Sequence, residues 1–503
     1  MLHFAFEHSS KVLYSLDNLR EKCGVFGVFA PGEDVARLTF FGLHSLQHRG
    51  QESAGIASAG SSKKIHLYAE MGLVTQVFDE TILAGLAGTH AIGHTRYSTT
   101  GSSKLENAQP LLVKGRHGTM AIAHNGNIVN ADVLREGLEA EGIHFETSSD
   151  TEVIAKCLSN AHGNNWKERF GQLMRRANGA YSLTILVPEG VFALRDPLGI
   201  RPLCIGELDN GYVFASETCA LDHLGAKFVR EVLPGEVVKA DAEGLTSWFP
   251  LKSSDNQKEE NPERICLLEF IYFARPDSHL SGQLLHPVRM RMGAAVAREH
   301  PIEADLVIGI PDSATAAAIG YAREAGIPYA EGLIKNRYVG RTFIQPDQRL
   351  REQGVHLKFN PLKEAIEGKK LIVVDDSIVR GTTTPRVVKM LRDVGATEVH
   401  MRVTSPPITH PCFYGVDMAT RSELIAAQSS IEEIREHIGA DTLGYLSLEG
   451  TVAATNISAG SHCDACFTGN YPSEVPLQLD KLAFEPDVGD VHDRHAFPIL
   501  KAR

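Results

Sequence analysis

Eight cysteines in 503 residues are too few for a disulfide scaffold. Residues 1–22 mix Lys11, Arg20 and Lys22 with Glu7, Asp17 and Glu21, without the apolar core and small-residue cleavage site of a secretory signal. A secreted, cross-linked protein is thereby excluded, and the cytoplasm is the expected compartment. No window approaches the roughly 20 apolar residues that span a bilayer, so no membrane association is expected. Blocks of Lys and Arg are also missing: 50 basic residues face 62 acidic ones, giving a net charge of -12. That balance lacks the electrostatic footprint of a nucleic-acid binder, although a small anion can still be held locally. Internal repeats and low-complexity tracts are absent.

What is present is apolar bulk. With 43% hydrophobic and 22% charged residues the chain is not disordered, and its length implies about two or three domains. From Cys23 to about Phe249 the pattern is α+β: residues 181–187 and 191–194 read as strands around Pro188-Glu189-Gly190, and Asp150 is suited to cap a helix striped by Val153, Ile154, Cys157 and Leu158. Residues 252–264 (KSSDNQKEENPER) are polar enough to be a linker, which places the domain boundary between 252 and 253. Beyond it strand and helix alternate: 305–310, then 314–324 closed by Gly326, then 371–374, then 385–394 closed by Gly395, then 399–403. Thr384 is the expected N-cap before Pro385, and Ser430 with Glu433 forms a capping box. The alternation predicts a parallel, doubly wound sheet.

The most specific segment runs from Leu371 through Val374 into Asp375, Asp376, Ser377, Ile378, Val379, Arg380, Gly381, Thr382, Thr383 and Thr384. An apolar strand thus ends in two acids and a Gly/Thr turn at a helix start. Carboxylates there can accept from sugar hydroxyls or meet Mg²⁺, and the turn amides suit a phosphate. Strand side chains alternate, so both acids reach one ligand only if the strand has ended by Asp376. Read from the residues alone, it is equally a strand-loop-helix joint with two solvated acids. The segment resembles the signature of type I phosphoribosyltransferases, which bind phosphoribosyl pyrophosphate (PRPP). The resemblance implies PRPP contacts from Asp375, Asp376, Ser377, Val379, Arg380, Gly381, Thr382 and Thr383. It also gives Ile310-Pro311-Asp312-Ser313-Ala314 a role in holding pyrophosphate, with Ser313, Asp375 and Asp376 facing Mg²⁺; Ala314 stands where many such enzymes have glycine. The basic stretch Lys335 to Ile344 resembles the family's flap over PRPP, supplying Lys335 and Arg341.

Cys23 opens Cys23-Gly24-Val25-Phe26-Gly27, and alone it reads as a small buried hydrophobe. It is followed by Gln47-His48-Arg49-Gly50-Gln51, His94-Thr95-Arg96-Tyr97-Ser98, His124-Asn125-Gly126-Asn127 and Ser148-Ser149-Asp150. In that order these resemble the glutaminase domain of N-terminal-nucleophile (Ntn) amidotransferases. The resemblance implies that Cys23 attacks the glutamine amide once a propeptide of residues 1–22 is removed, its freed α-amine serving as base. Asn125 and Gly126 would form the oxyanion hole, Arg96 would grip the α-carboxylate and Asp150 the ammonium group. From the residues alone, Asn125-Gly126 is equally a hairpin turn, Arg96 an ion pair and Asp150 an N-cap. His44 and His48 can share a helical face, but without a third ligand no metal is assigned to them.

Cys463 and Cys466 form a C-x-x-C pair, with Cys266 and Cys412 elsewhere in the second half. Spacing leaves zinc and iron–sulfur open. The contexts Ile265-Cys266-Leu267, Pro411-Cys412-Phe413-Tyr414-Gly415 and Cys463 to Gly469 resemble the Bacillus-like branch of the glutamine PRPP amidotransferases. That branch carries a propeptide and a [4Fe–4S] cluster of structural or redox-sensing role. Cys157, Cys204 and Cys219 lie in apolar runs and read as packing residues.

The resemblance implies an αββα Ntn glutaminase domain over 23–252, an α/β type I phosphoribosyltransferase domain over 253–475 and a tail over 476–503. It implies conversion of glutamine and PRPP to phosphoribosylamine, glutamate and pyrophosphate, with ammonia passing internally. The resemblance also implies assembly as homotetramers, or else dimers, and feedback inhibition by purine nucleotides. Amidotransferases making glucosamine phosphate or asparagine would lack the Asp375-Asp376 signature, and a PRPP-binding regulator without turnover should have lost Cys23 or the flap.

Overall fold

The computed structural model describes residues 23–97, 104–252, 263–336, 358–418, 420–458 and 460–475, with the backbone of Pro476 and of Ile499–Leu500. The leader 1–22, Arg341 with most of the flap, and nearly all of the expected linker and tail lie outside the described residues.

Two antiparallel sheets build the first half. The seven-stranded sheet runs Lys227–Glu231, Cys204–Leu208, Gly211–Ala215, Gly24–Phe29, His90–Arg96, Ser53–Ala59, His66–Met71. The six-stranded sheet runs Gly244–Trp248, Val237–Asp241, Gly190–Arg195, Gly179–Val187, Gly118–Ile128, Leu111–Gly115. Alternate residues of the two sheets meet in a common core, with Val25, Phe29 and Ile92 against Ala121, Leu186 and Val191. The opposite faces are also apolar and need cover. Helix Val35–Ser45 packs on the first sheet, and Ala131–Ala140, Asp150–Asn160 and Trp166–Arg176 pack on the second. The layers are α, β, β, α, as expected.

The second half holds a parallel sheet in the order Leu306–Gly309, Lys370–Asp375, Glu398–Val403, Thr442–Tyr445. Period-two alternation sends Val307, Ile372 and Val374 to a core shared with helices Leu285–Glu299 and Thr315–Ala325. Ile308, Leu371 and Val373 go to the opposite core, under Thr384–Asp393 and Ile431–Ile438. The parallel order and the helices on both faces match the expected α/β architecture.

Ser430 and Glu433 make the expected reciprocal box. Asp150 is not an N-cap: Ser149 takes that position, accepting from the Thr151 amide at 3.2 Å, and Asp150 becomes the first helical residue. Thr384 is likewise the first residue of its helix, after Thr383 at the cap. Pro385 tolerates this shift because amides of the first turn have no intrahelical partner to lose.

Candidate active sites

The first site forms where strand ends and a helix start converge. Cys23, Arg96, Gly126 and Asp150 line one pocket of about 220 Å³, together with Gln109 and His124. Cys23 is buried at the start of Gly24–Phe29, its Sγ 3.7 Å from the Tyr97 carbonyl oxygen. Arg96 ends His90–Arg96, buried, with Nη1 3.9 Å from Glu52 Oε2. Asp150 Oδ2 accepts from the Ile128 amide at 3.1 Å and lies 3.7 Å from His124 Nδ1. Gly126 has φ +148°, and a Cβ there would lie 2.0 Å from the Ala180 carbonyl oxygen, so only glycine fits. Asn125 precedes it on the strand, fully buried, and does not line the pocket.

Two further residues brace this pocket: Gln109, which lies outside every motif, and His94, which opens the Arg96 motif. Gln109 Oε1 accepts from the His124 amide at 2.8 Å, and its Nε2 donates to Thr151 Oγ1 at 2.8 Å. His94 Nε2 donates to the His124 carbonyl at 3.0 Å. Burial pushes the His94 imidazole down to about 3 and lowers His124 despite the opposing charge of Asp150.

At the second site the strand Lys370–Asp375 ends before Asp376, the condition for both acids to face one ligand. Ser313 Oγ donates to Asp376 Oδ2, joining the two predicted loops. Ser377 Oγ donates to Asp376 Oδ1 at 2.6 Å, and the Asp376 amide to Asp375 Oδ1 at 2.9 Å. Burial raises the Asp376 carboxyl, opposed by those hydroxyls. Lys335 Nζ pairs with Asp312 Oδ2 at 2.6 Å across the loops. Arg380 instead pairs with Glu423 Oε2 at 2.6 Å. Val379 is buried, its carbonyl accepting from the Ile425 amide at 2.9 Å. Gly381 offers its carbonyl to His437 Nε2 at 2.9 Å, while Thr382 and Thr383 precede helix Thr384–Asp393.

The sequence reading missed Lys358. Burial and the nearby Lys335 lower its ammonium, against the opposing pull of Asp375, Asp376 and Asp312. A cation so placed suits the same anionic ligand. Ser313, Asp375 and Asp376 offer oxygen donors of the hard kind that Mg²⁺ accepts.

The four cysteines meet although they span the second half. Ile265–Cys266 pairs in parallel with His462–Cys463, setting Cys266 opposite Cys463. Helical turn Ala465–Thr468 brings in Cys466, whose carbonyl accepts from the Thr409 and His410 amides at 3.0 Å. All four line a pocket with about 340 Å³ of empty space, walled by Ile200, Leu268 and Val416. The Tyr414 amide donates to Cys412 Sγ at 3.4 Å. Burial pushes the Cys266 thiol up to about 12 and raises Cys463 and Cys466 well above the usual thiol range. Bare thiolates are therefore disfavoured here, and a positively charged soft partner would reverse that. Among the described residues no three His, Cys, Asp or Glu side chains converge as they would on one metal ion. Four sulfur donors lining one pocket are a set that a [4Fe–4S] cluster accepts. Cys157, Cys204 and Cys219 are buried elsewhere, as packing residues should be.

Sequence and structure comparisons follow the same division. A glutamine amidotransferase domain matches residues 94–223 and a phosphoribosyl transferase domain residues 290–409. Amidophosphoribosyltransferase of Synechococcus elongatus is 52% identical over 92% of this chain and 94% of its own. That of Archaeoglobus fulgidus is 50% identical over 90% and 98%. The solved glutamine PRPP amidotransferase of B. subtilis, complexed with ADP and GMP, superposes with a TM-score of 0.83 at 48% identity, covering 90% of this chain and 97% of that one. A solved allosteric regulatory enzyme of purine biosynthesis also gives 0.83 at 48% identity, over 90% and 96%. With relatives this similar over nearly their whole length, the chain belongs to the amidophosphoribosyltransferase family.

Proposed function

We propose that this chain takes nitrogen from glutamine at Cys23 and transfers it to carbon 1 of PRPP, releasing glutamate and pyrophosphate. The observation that carries the reading is the pocket gathering Cys23, Arg96, Gly126 and Asp150 from four separate segments. The Cys23 thiolate attacks the side-chain amide while the α-amine, exposed once residues 1–22 are removed, takes the proton. The Gly126 amide stabilises the oxyanion, joined by Asn125 once its side chain turns into the pocket with glutamine bound, a contribution of about 2.7–4 kcal/mol per donor in other enzymes. Arg96 holds the substrate carboxylate and Asp150 its ammonium group.

At the second site the loop from Asp375 to Thr383 holds the ribose phosphate, and Lys335, oriented by Asp312, closes over the pyrophosphate with Arg341 of the flap. Ser313, Asp375 and Asp376 would hold Mg²⁺, which supplies neutralising charge to the leaving pyrophosphate. Ammonia in neutral water becomes non-nucleophilic ammonium, so a dry internal passage is required. Cys266, Cys412, Cys463 and Cys466 would hold a [4Fe–4S] cluster, which supplies a cross-link between distant segments and no electrons to either reaction. The ADP and GMP bound by the B. subtilis relative support purine nucleotides as feedback inhibitors. We extend the reading to cytoplasmic homotetramers; no helix among the described residues is long and apolar enough to cross a membrane.

Product assays with glutamine or ammonia as nitrogen source test the assignment. Cys23→Ala should lose glutamine use and retain ammonia-dependent synthesis, whereas Asp375→Ala should lose both. Full glutamine-dependent activity in Cys23→Ala would contradict the nucleophile assignment.

A further inference from the structure

Between the cysteine pocket and Cys23 runs a chain of buried charge that neither proposed reaction uses. Arg201 is 1% exposed and lines the cysteine pocket. Its Nη1 donates to Glu269 Oε1 at 3.0 Å and its Nη2 to the Gly415 carbonyl at 3.0 Å. Its Nε is buried with no hydrogen-bond partner. A guanidinium N–H left bare in a sealed interior costs about 1–3 kcal/mol or more unless something accepts from it, and the adjoining pocket holds the sulfur atoms.

The chain continues toward the nucleophile. Glu269, on the π-helical turn Glu269–Phe273 that opens the second half, also takes Arg49, at 2.8 Å from Nη2 and 3.1 Å from Nη1. Arg49 Nε donates in turn to the Cys23 carbonyl at 3.4 Å. Arg49 Nη1 additionally reaches Glu217 Oε1 at 2.5 Å, so two arginines and two glutamates form a neutral buried set. A second contact runs beside it. The loop carrying Cys412 presses Gly415 onto Gly126, where a Cβ on Gly415 would lie 3.1 Å from the Gly126 Cα, and Asn127 Nδ2 donates to the Phe413 carbonyl at 3.0 Å.

We infer that Arg201 is a positioning residue that turns its Nε–H onto the sulfur atoms of the group in the cysteine pocket and, through Glu269 and Arg49, holds the Cys23 backbone in place. The inference rests on the [4Fe–4S] reading of that pocket. Loss of the group would free Arg201, loosen Glu269 and disturb Cys23, so glutamine hydrolysis would respond to the state of the cysteine site without electron transfer.

The test uses the two-domain enzyme processed to begin at Cys23 and purified without oxygen, as wild type, Arg201→Lys and Glu269→Gln. Iron and sulfide content is measured first, then bleaching of the visible absorption in air, then alkylation of Cys23 by a glutamine-like diazo ketone. In Arg201→Lys bleaching should accelerate roughly tenfold, the worth of one hydrogen bond to a charged group. Alkylation should slow roughly three- to tenfold in both variants, while Glu269→Gln bleaches near the wild-type rate. Wild-type alkylation in a variant that retains its iron would overturn the link to Cys23. Wild-type bleaching in Arg201→Lys would overturn the contact with the pocket. Glu269→Gln reads the link alone if Arg201→Lys does not fold. Wild type lacking iron and sulfide would overturn the cluster reading and this inference with it.

Discussion

Asp150 shows how one cap changes the chemistry available to a side chain. Because Ser149 occupies the N-cap, the Asp150 carboxylate is turned to the Ile128 amide and the Cys23 pocket. The two histidines beside it have a consequence for acid stability. His94 and His124 are buried with pKa values below that of free histidine, through burial first. A lowered folded-state pKa means stability that is present above about 6.5 and is lost as pH falls toward the folded value. Chemical denaturation of the wild type between pH 6.5 and 4 should therefore be steeper in pH than that of His94→Gln, by up to about 1.4 kcal/mol per pH unit. Parallel curves would contradict this. The motif residues of this site were legible because each sits in a short contiguous pattern. Gln109 and Lys358 were not, since each reaches its site from a stretch with no chemical signature and is identified by what surrounds it.

Among the elements, helices Leu285–Glu299 and Thr315–Ala325 touch backbone to backbone. A Cβ on Gly293 would lie 1.8 Å from the Ala317 carbonyl oxygen, and one on Gly320 2.0 Å from that of Met290. Neither helix can give way alone, because both cover the sheet face of Val307, Ile372 and Val374. Gly320→Ala should thus lower unfolding free energy by about 1–3 kcal/mol despite the better helix propensity of alanine, as measured by urea denaturation. An unchanged or raised stability would show that the helices are not in this contact. The alternation of strand and helix around them was readable from periodicity and from Gly326, which ends its helix at φ +68°. The pairing of Ile265–Cys266 with His462–Cys463 was not readable, since two residues carry no period and their partner is fixed by tertiary packing.

Across the whole molecule the two halves meet through buried polar groups as well as apolar ones. Burial alone would raise the Glu217 carboxyl, but His48 and Arg49 together hold it well below the usual range. The same carboxylate accepts from the Arg275 amide at 2.9 Å and from Ser278 Oγ at 2.7 Å, both in the second half. Such a seam specifies one arrangement, because only a single relative placement of the halves pairs all of its buried charges. It therefore favours a fixed relation between a site that generates ammonia and one that consumes it. Composition and motif order made the two halves legible, whereas this seam was hidden because Glu217, Arg275 and Ser278, the partners of motif residues His48 and Arg49, lie in segments with no chemical signature. Internal transfer is tested most directly by supplying glutamine labelled with ¹⁵N in its amide alongside unlabelled ammonium, at a concentration that alone sustains synthesis in Cys23→Ala. The account predicts phosphoribosylamine carrying the label almost undiluted; product labelled only in proportion to the mixed pool would contradict it.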